Sequence, residues 1–263
     1  MEREALTKIE ALALKRLTIH RNSSRIYLLR AILASLFIGF GVIVAFKTGN
    51  FFYAEHSPFA YPAAAFTFSV AIILIYYGGG DLFTGDTFYY TYAAIRKQMG
   101  WRDVTKLWGY SYVGNLIGAI LFALLIYATG LFSDPSVNSF LVSVAQGKTE
   151  APTAELFFRG ILCNWLVCLA FFLPYRAKGD GPKMFIMVFL VFCFFISGYE
   201  HSIANFVTFS ISMATQHPDA VTIDGILHNI IPVTIGNLIG GTLCMASMYH
   251  YLNKPFMLRD DED

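Results

Sequence analysis

The sequence predicts an all-α integral membrane protein of six spans, folded as two inverted halves, and three observations carry that prediction. The first is composition: 56% of the 263 residues are hydrophobic, only 14% are charged, and there are 25 phenylalanines and 15 tyrosines. That is more apolar surface than one soluble core of this size would bury. The second is segment length. Apolar stretches lie near 27–47, 60–77 running on to about 95, 107–131, 155–175, 184–214 and 226–252. Each can supply the roughly 20 helical residues that cross about 30 Å of hydrocarbon. The third is that short motifs recur in the same order at offsets of 119, 122 and 129 residues.

Residues 1–25 are too charged for the apolar core of a signal peptide. Leu6, Ile9, Ala13 and Leu17 recur at helical spacing, which predicts an amphipathic helix that lies on the membrane surface or packs under a neighbouring subunit. Residues 26–252 form the membrane domain, and 253–263 form an acidic tail. Six spans put both termini on one side, and the basic residues choose that side. Sixteen of the 19 lysines and arginines fall before span one, after spans two and four, or after span six, so these regions and both termini are expected in the cytoplasm. Lys47, Lys148 and Arg159 are the exceptions. Cys163, Cys168, Cys193 and Cys244 sit in apolar runs and read as small buried hydrophobes, with no disulfide or metal-ligand spacing.

The second and fifth spans are too long and too interrupted for single plain helices. In the second, "GGGDLFTGDT" (78–87) follows "AAFTFSVAIILIYY" (64–77), placing glycines and an aspartate where a helix should still be running. The repeats explain the pattern. "GNLIG" occurs at 114–118 and 236–240, Arg30-Ala-Ile-Leu is echoed by Arg159-Gly-Ile-Leu, and Asp81-Leu82 corresponds to Glu200-His201. The repeats cover about 26–132 and 155–252. Each holds three spans, an odd number, so the second enters the membrane from the opposite side. Two helix breaks then meet near the midplane, where unwound backbone is tolerated only when it is buried or lines a cavity. Helix ends at such a break aim N–H groups and dipoles at whatever passes. A pore or transporter follows.

Other classes fit less well. The net charge of +1 comes with no basic arm or aromatic-basic array for nucleic acid. Glu200-His201 lacks an HExxH pattern or a second intramembrane histidine for a metalloenzyme, so no metal, cofactor or enzymatic activity is expected. A water or glycerol facilitator shares the inverted plan, but its Asn-Pro-Ala loops are absent.

At the two breaks, "YYGGGDLFTG" and "SGYEHSIANF" closely resemble the paired signatures of the formate/nitrite transporter family. "ILCNWLVCLA" and "IPVTIGNLIGG" are similar to its fourth and sixth spans. The resemblance covers roughly residues 25–252. It implies an aquaporin-like homopentamer in the cytoplasmic membrane, each protomer with its own pore for small monovalent weak-acid anions: formate, nitrite, hydrosulfide or acetate. The "DLFTGDT" form of the first signature leans towards formate. The family's central histidine falls on His201, preceded by Glu200, its facing threonine on Thr84, its vestibule lysine on Lys148 and its pore asparagines on Asn164 and Asn237. The apolar constrictions fall on Ile72, Leu82 and Phe83 towards the cytoplasm, and on Phe68, Val167 and Phe194 towards the outside. Arg159 replaces a usually apolar residue, which leaves its role open.

An isolated intramembrane histidine is either a hydrogen-bonded packing residue or part of a pathway. His201 sits at a helix break, deep in a span, and the resemblance places it between two apolar constrictions. A bare anion there costs several kcal/mol or more, and an imidazolium, or a histidine passing on a proton, would neutralise it. Lys148 is either a solvated loop charge or an attractor of anions at an outer vestibule. Asp81 and Glu200 are expected to accept the N–H groups freed by the breaks, with direct proton relay as the alternative. Asn164 and Asn237 are either glue between helices or donors to a passing carboxylate.

Overall fold

A computed structural model of the chain describes residues 2–215 and 221–257. The regular elements among the described residues are all helical: α1 (Arg3–Asn22), α2 (Ser24–Ala54), α3 (Ala60–Phe68), α4 (Val70–Gly78), α5 (Phe83–Ile95), α6 (Trp101–Thr129), α7 (Pro135–Glu150), α8 (Thr153–Phe172), α9 (Asp180–Ile196), α10 (Ser202–Thr215), α11 (Ile223–Ile239) and α12 (Met248–Met257). A 3-10 turn, Leu173–Arg176, extends α8, and a π-helical stretch, Gly240–Ser247, joins α11 to α12. Among the described residues, five continuous segments are long and apolar enough to cross a membrane: Ser24–Ala54, Ala60–Gly78, Trp101–Thr129, Thr153–Arg176 and Ile223–Pro255. The interrupted stretch expected at 184–214 is two helices, α9 and α10, separated at 197–201. The tail expected from 253 starts inside α12, and its residues 258–263 lie outside the described residues.

Local chemistry sets these ends. The Ser23 side chain accepts from the Ile26 amide where α2 begins, and Asp134 accepts from Ser136, with Pro135 at the first position of α7. Gly79 closes α4 at φ 75° and Gly198 follows α9 at φ 69°, a left-handed conformation that costs a residue with a side chain far more.

The two "GNLIG" motifs are packing devices. A Cβ on Gly118 would lie 2.4 Å from the Ile32 carbonyl oxygen, and one on Gly240 would lie 2.5 Å from that of Ile161. Glycine thus lets α6 settle on α2, and the helix carrying α11 settle on α8, at the same relative position in each half.

Helices α1 and α7 lie near opposite ends of α2. The last turns of α2 hold α7: Asn50 donates to the Ser136 carbonyl at 2.7 Å and accepts from the Phe140 amide at 3.0 Å. At the other end, α1 buries Ala5, Leu6, Ile9 and Ala13 to 2% exposure or less against its own chain, chiefly α5 and α2. This corrects the expectation of a helix on the membrane surface or under a neighbour: the apolar face is already covered within the protomer. The cysteine reading is also corrected in part. Cys163 and Cys168 are buried, but Cys193 is exposed and Cys244 only half-buried, because both sit on outward faces that an apolar run does not distinguish from inward ones.

Candidate functional site

The chain closes its two breaks in the same way. At the first, the Asp81 amide donates to the Arg30 carbonyl at 3.0 Å and the Phe83 amide donates to Asn115 Oδ1 at 2.9 Å. Asn115 Nδ2 donates to the Ala31 and Asp81 carbonyls at 2.7 and 3.1 Å. At the second, the Glu200 amide donates to the Arg159 carbonyl at 3.4 Å and the Ser202 amide to Asn237 Oδ1 at 2.9 Å. Asn237 Nδ2 donates to the Gly160 and Glu200 carbonyls at 2.8 and 2.9 Å. Each asparagine of a "GNLIG" motif therefore satisfies backbone that the break leaves without helical partners.

That overturns the expectation for Asp81 and Glu200, whose carboxylates serve cations and amides instead. Asp81, fully buried, lies 2.8 Å from Arg30 Nε and 2.8 Å from Arg16 Nε. The same Arg16 guanidinium pairs with buried Asp86, which also accepts from Tyr27 at 3.1 Å. Glu200 Oε1 accepts from Lys148 Nζ at 2.8 Å and Oε2 from Asn205 Nδ2 at 2.6 Å. Asn205 in turn donates to Asn229 at 2.8 Å.

His201 stands just before the first turn of α10. Its Nε2 is 2.9 Å from Thr84 Oγ1, and its Nδ1 accepts the Ala204 amide at 2.9 Å. A backbone amide only donates, so Nδ1 bears no proton in this arrangement. The proton of the neutral ring is on Nε2, which donates to Thr84. A second proton can go only to Nδ1, and it must break the Ala204 bond. The Phe194 ring stacks on the imidazole, centroids 6.1 Å apart.

Two small cavities meet at this histidine. One, of about 30 Å³, is lined by Lys148, Asn205, Thr208 and Ala204 together with Phe68, Phe194 and His201. The other, of about 20 Å³, is bounded by Ile72, Leu82, Val167, Phe68, Phe194 and His201. Each has room for about one water. Beyond the first, on the side that carries α7, a mouth of about 470 Å³ is lined by residues including Tyr53, Tyr61, Lys148, Arg159 and Glu200.

The structure thus brings His201, Lys148, Glu200, Phe68, Ile72, Leu82, Val167 and Phe194 to adjoining cavities, with Thr84 buried behind the His201 ring. It places three sequence-derived candidates elsewhere. Phe83 packs on Tyr112, ring centroids 4.9 Å apart. Asn237 spends its amide on the second break. Asn164 Nδ2 donates to the Thr84 carbonyl, Thr87 Oγ1 and the Asn237 carbonyl at 3.2, 3.0 and 2.6 Å, so it holds α5 and α11 to α8. Sequence reasoning missed Asn115, Asn205, Asn229 and Thr208. The doubled "GNLIG" was a usable signal for Asn115, and the "EHSIAN" run for Asn205. Asn229 and Thr208 carry none.

A family model described as formate/nitrite transporter matches residues 3–251. The chain belongs to that family. Among formate/nitrite transporter relatives, the Bacillus subtilis transporter YwcJ is 61% identical over 253 residues, covering 96% of this chain and 99% of its own length. The nitrite transporter NirC of Salmonella typhimurium is 34% identical over 248 residues, covering 94% of this chain and 91% of its own. A solved pentameric formate channel with formate bound shares the fold at a TM-score of 0.75 and 24% identity, over 92% of this chain and 98% of that one.

Proposed function

We propose that the protein passes small monovalent weak-acid anions, formate first among them, through a pore within each protomer, with transient protonation of the anion beside His201. The carrying observation is the position of His201, held from behind by Thr84, where a chamber that offers Lys148, Asn205 and Thr208 among apolar side chains meets one bounded by Ile72, Leu82 and Val167. Up to that point an anion has Lys148, Asn205 and Thr208 within the chamber lining; beyond it there is nothing to balance its charge, and a bare ion is costly at such depth. The neutral acid crosses the apolar chamber far more cheaply.

The hydrogen bonds around the ring suggest the order of events. At rest His201 is neutral and Nδ1 accepts from Ala204. A proton arriving from the α7 side adds to Nδ1 and releases the Ala204 N–H. Both donors then border the chamber where the anion waits. Transfer of the Nδ1 proton to a carboxylate oxygen makes formic acid, the neutral ring recaptures the amide, and formic acid moves past Leu82 and Ile72. Thr84 holds the opposite edge of the ring throughout.

The positive-inside bias puts α1 and both termini in the cytoplasm and the α7 mouth outside, in a cytoplasmic membrane. A homopentamer accords with a path lined within one chain, with outward apolar faces such as Leu124, Leu125 and Ile231, and with the pentameric assembly of the formate channel that shares the fold. Nitrite is the second reading, favoured by the 34% identity to NirC.

Purified protein in liposomes, offered formate, nitrite, hydrosulfide and acetate across imposed pH gradients, tests this. Formate uptake is expected to rise with an inward proton gradient and to acidify the lumen. Formate uptake no faster than in protein-free liposomes at every gradient would end the formate reading, and nitrite uptake alone would install the second.

A further inference from the structure

The two halves place an arginine at equivalent positions, Arg30 and Arg159, each accepting through its carbonyl the amide of its own break's acidic residue. Their side chains then part company. Arg30 grips Asp81 with two nitrogens, Nε at 2.8 Å and one terminal nitrogen at 3.4 Å. Arg159 cannot grip Glu200 in the same way, because Lys148, delivered by α7, holds that carboxylate at 2.8 Å with its side chain only 16% exposed. The Arg159 guanidinium turns instead to Glu155, four residues back on α8, in a pair whose partners are 41% and 51% exposed. An exposed pair of this kind is weakly held and exchanges with solvent ions. Arg159 also lines the wide mouth that leads to Lys148 and Glu200. At that mouth Lys148 is neutralised by Glu200, and Arg159 is the cation with a labile partner.

We infer that Arg159 is the capture residue of the outer mouth and that it selects planar anions with two oxygens. A guanidinium presents two parallel N–H groups that match both oxygens of a carboxylate or nitrite, whereas a one-centre anion engages only one. Formate or nitrite displaces Glu155 from Arg159 and is then delivered towards Lys148. Hydrosulfide gains only the charge. The inference rests on the anion-transport reading for its consequence, but binding at Arg159 is measurable without transport.

Two measurements on the full-length protein decide it. Saturation-transfer NMR with formate on detergent-solubilised protein is expected to show contact in the wild type, a loss in Arg159→Leu, and only partial return in Arg159→Lys, which restores charge without the fork. In liposomes, Arg159→Leu is expected to raise the half-saturating concentration of formate and nitrite roughly threefold to tenfold, and that of hydrosulfide, which loses only the charge, by a clearly smaller factor. Glu155→Gln, which removes the competitor, is expected to lower the half-saturating concentration for both oxyanions. Equal formate contact in wild type and Arg159→Leu overturns the inference, as does an equal fractional loss for all three anions, which is the mark of charge alone. Absence of transport in the wild type with Arg159-dependent formate contact preserved would sink the functional reading and leave this one standing.

Discussion

At the first break Asp81 lies between two arginines, Arg16 from α1 and Arg30 from α2, with the carboxylate fully buried. At the second, Glu200 is held by one lysine from α7, and that lysine lines both a chamber and the mouth. The backbone is solved identically at both sites, by an arginine carbonyl and a "GNLIG" asparagine. The difference lies in what the inserted helices bring. Helix α1 supplies a cation that completes a closed cluster with Asp81, Asp86 and Tyr27, while α7 supplies one that borders open space. One fold device, used twice, thus yields a closed ionic lock on one side and a lysine–carboxylate pair bordering open space, the site of the proposed ion handling, on the other. The central residues differ in the same sense: His201 at the second break corresponds to Leu82 at the first.

The largest effect should come from breaking that last asymmetry. His201→Asn keeps an acceptor able to cap the Ala204 amide, so the fold should hold, but it has no group that takes up and releases a proton near neutral pH. Proton-coupled formate uptake is expected to fall on the order of a hundredfold, in line with the loss of a positioned acid–base group, and to lose its pH dependence. Leu82→Ala should change the rate yet retain the pH profile. Wild-type uptake with lumen acidification in His201→Asn would return the histidine to a packing role.

Next are the carboxylates. Asp81→Asn leaves Arg16 and Arg30 without a shared counter-charge in a buried cluster, which should destabilise the protein by about 3–5 kcal/mol. Glu200→Gln uncovers a lysine that water can reach from the mouth, so its loss of stability should be smaller. Thermal unfolding in detergent ranks the two, and equal losses would erase the distinction between lock and site.

A several-fold effect is expected at Lys148. Lys148→Ala removes a positive charge and also uncovers Glu200 at the mouth, so flux should fall most at low substrate and low salt, where screening is weakest. Adding Glu200→Gln to that variant should restore part of the flux. If the double variant is as slow as the single one across a salt series, electrostatic attraction is not what Lys148 contributes.

The smallest effect lies on α1. Burial raises the Glu10 carboxyl above its ordinary value of 4.5, against the opposing pull of Arg96 at 3.8 Å. The folded protein therefore holds this proton more tightly than the unfolded chain, and stability falls as pH rises through that range. Glu10→Gln should raise the melting temperature slightly at neutral pH and leave it unchanged below the ordinary carboxylate range. A gain of the same size at both pH values would assign the effect to packing.

The sequence displayed the membrane class, the two breaks and the pairing of motifs because each is written in neighbouring residues. A run of apolar side chains, a glycine that permits positive φ and a motif recurring at a fixed offset all survive in one dimension. The signature runs at the breaks also pointed to His201 and Thr84, and the family resemblance to Lys148 ahead of the fourth span. The sequence misassigned the partners of Asp81 and Glu200. Freed amides next to a carboxylate look like its natural donors, and only the crossing of α6 over α2, and of α11 over α8, delivers Asn115 and Asn237 to them instead.

The sequence by itself determined an all-helical membrane chain of the formate/nitrite transporter type, broken once in each half, because hydrophobic length and backbone permissiveness are local properties. The tertiary structure alone decided which polar groups meet: Arg16 with Asp81 and Asp86, Lys148 with Glu200, Asn229 with Asn205, and the Arg159 guanidinium with its near neighbour Glu155 rather than with the carboxylate its counterpart would grip. Those pairings depend on where α1 and α7 dock at opposite ends of α2. Docking is settled by the burial of whole helix faces, a sum over distant residues that leaves no trace at any single position of the chain.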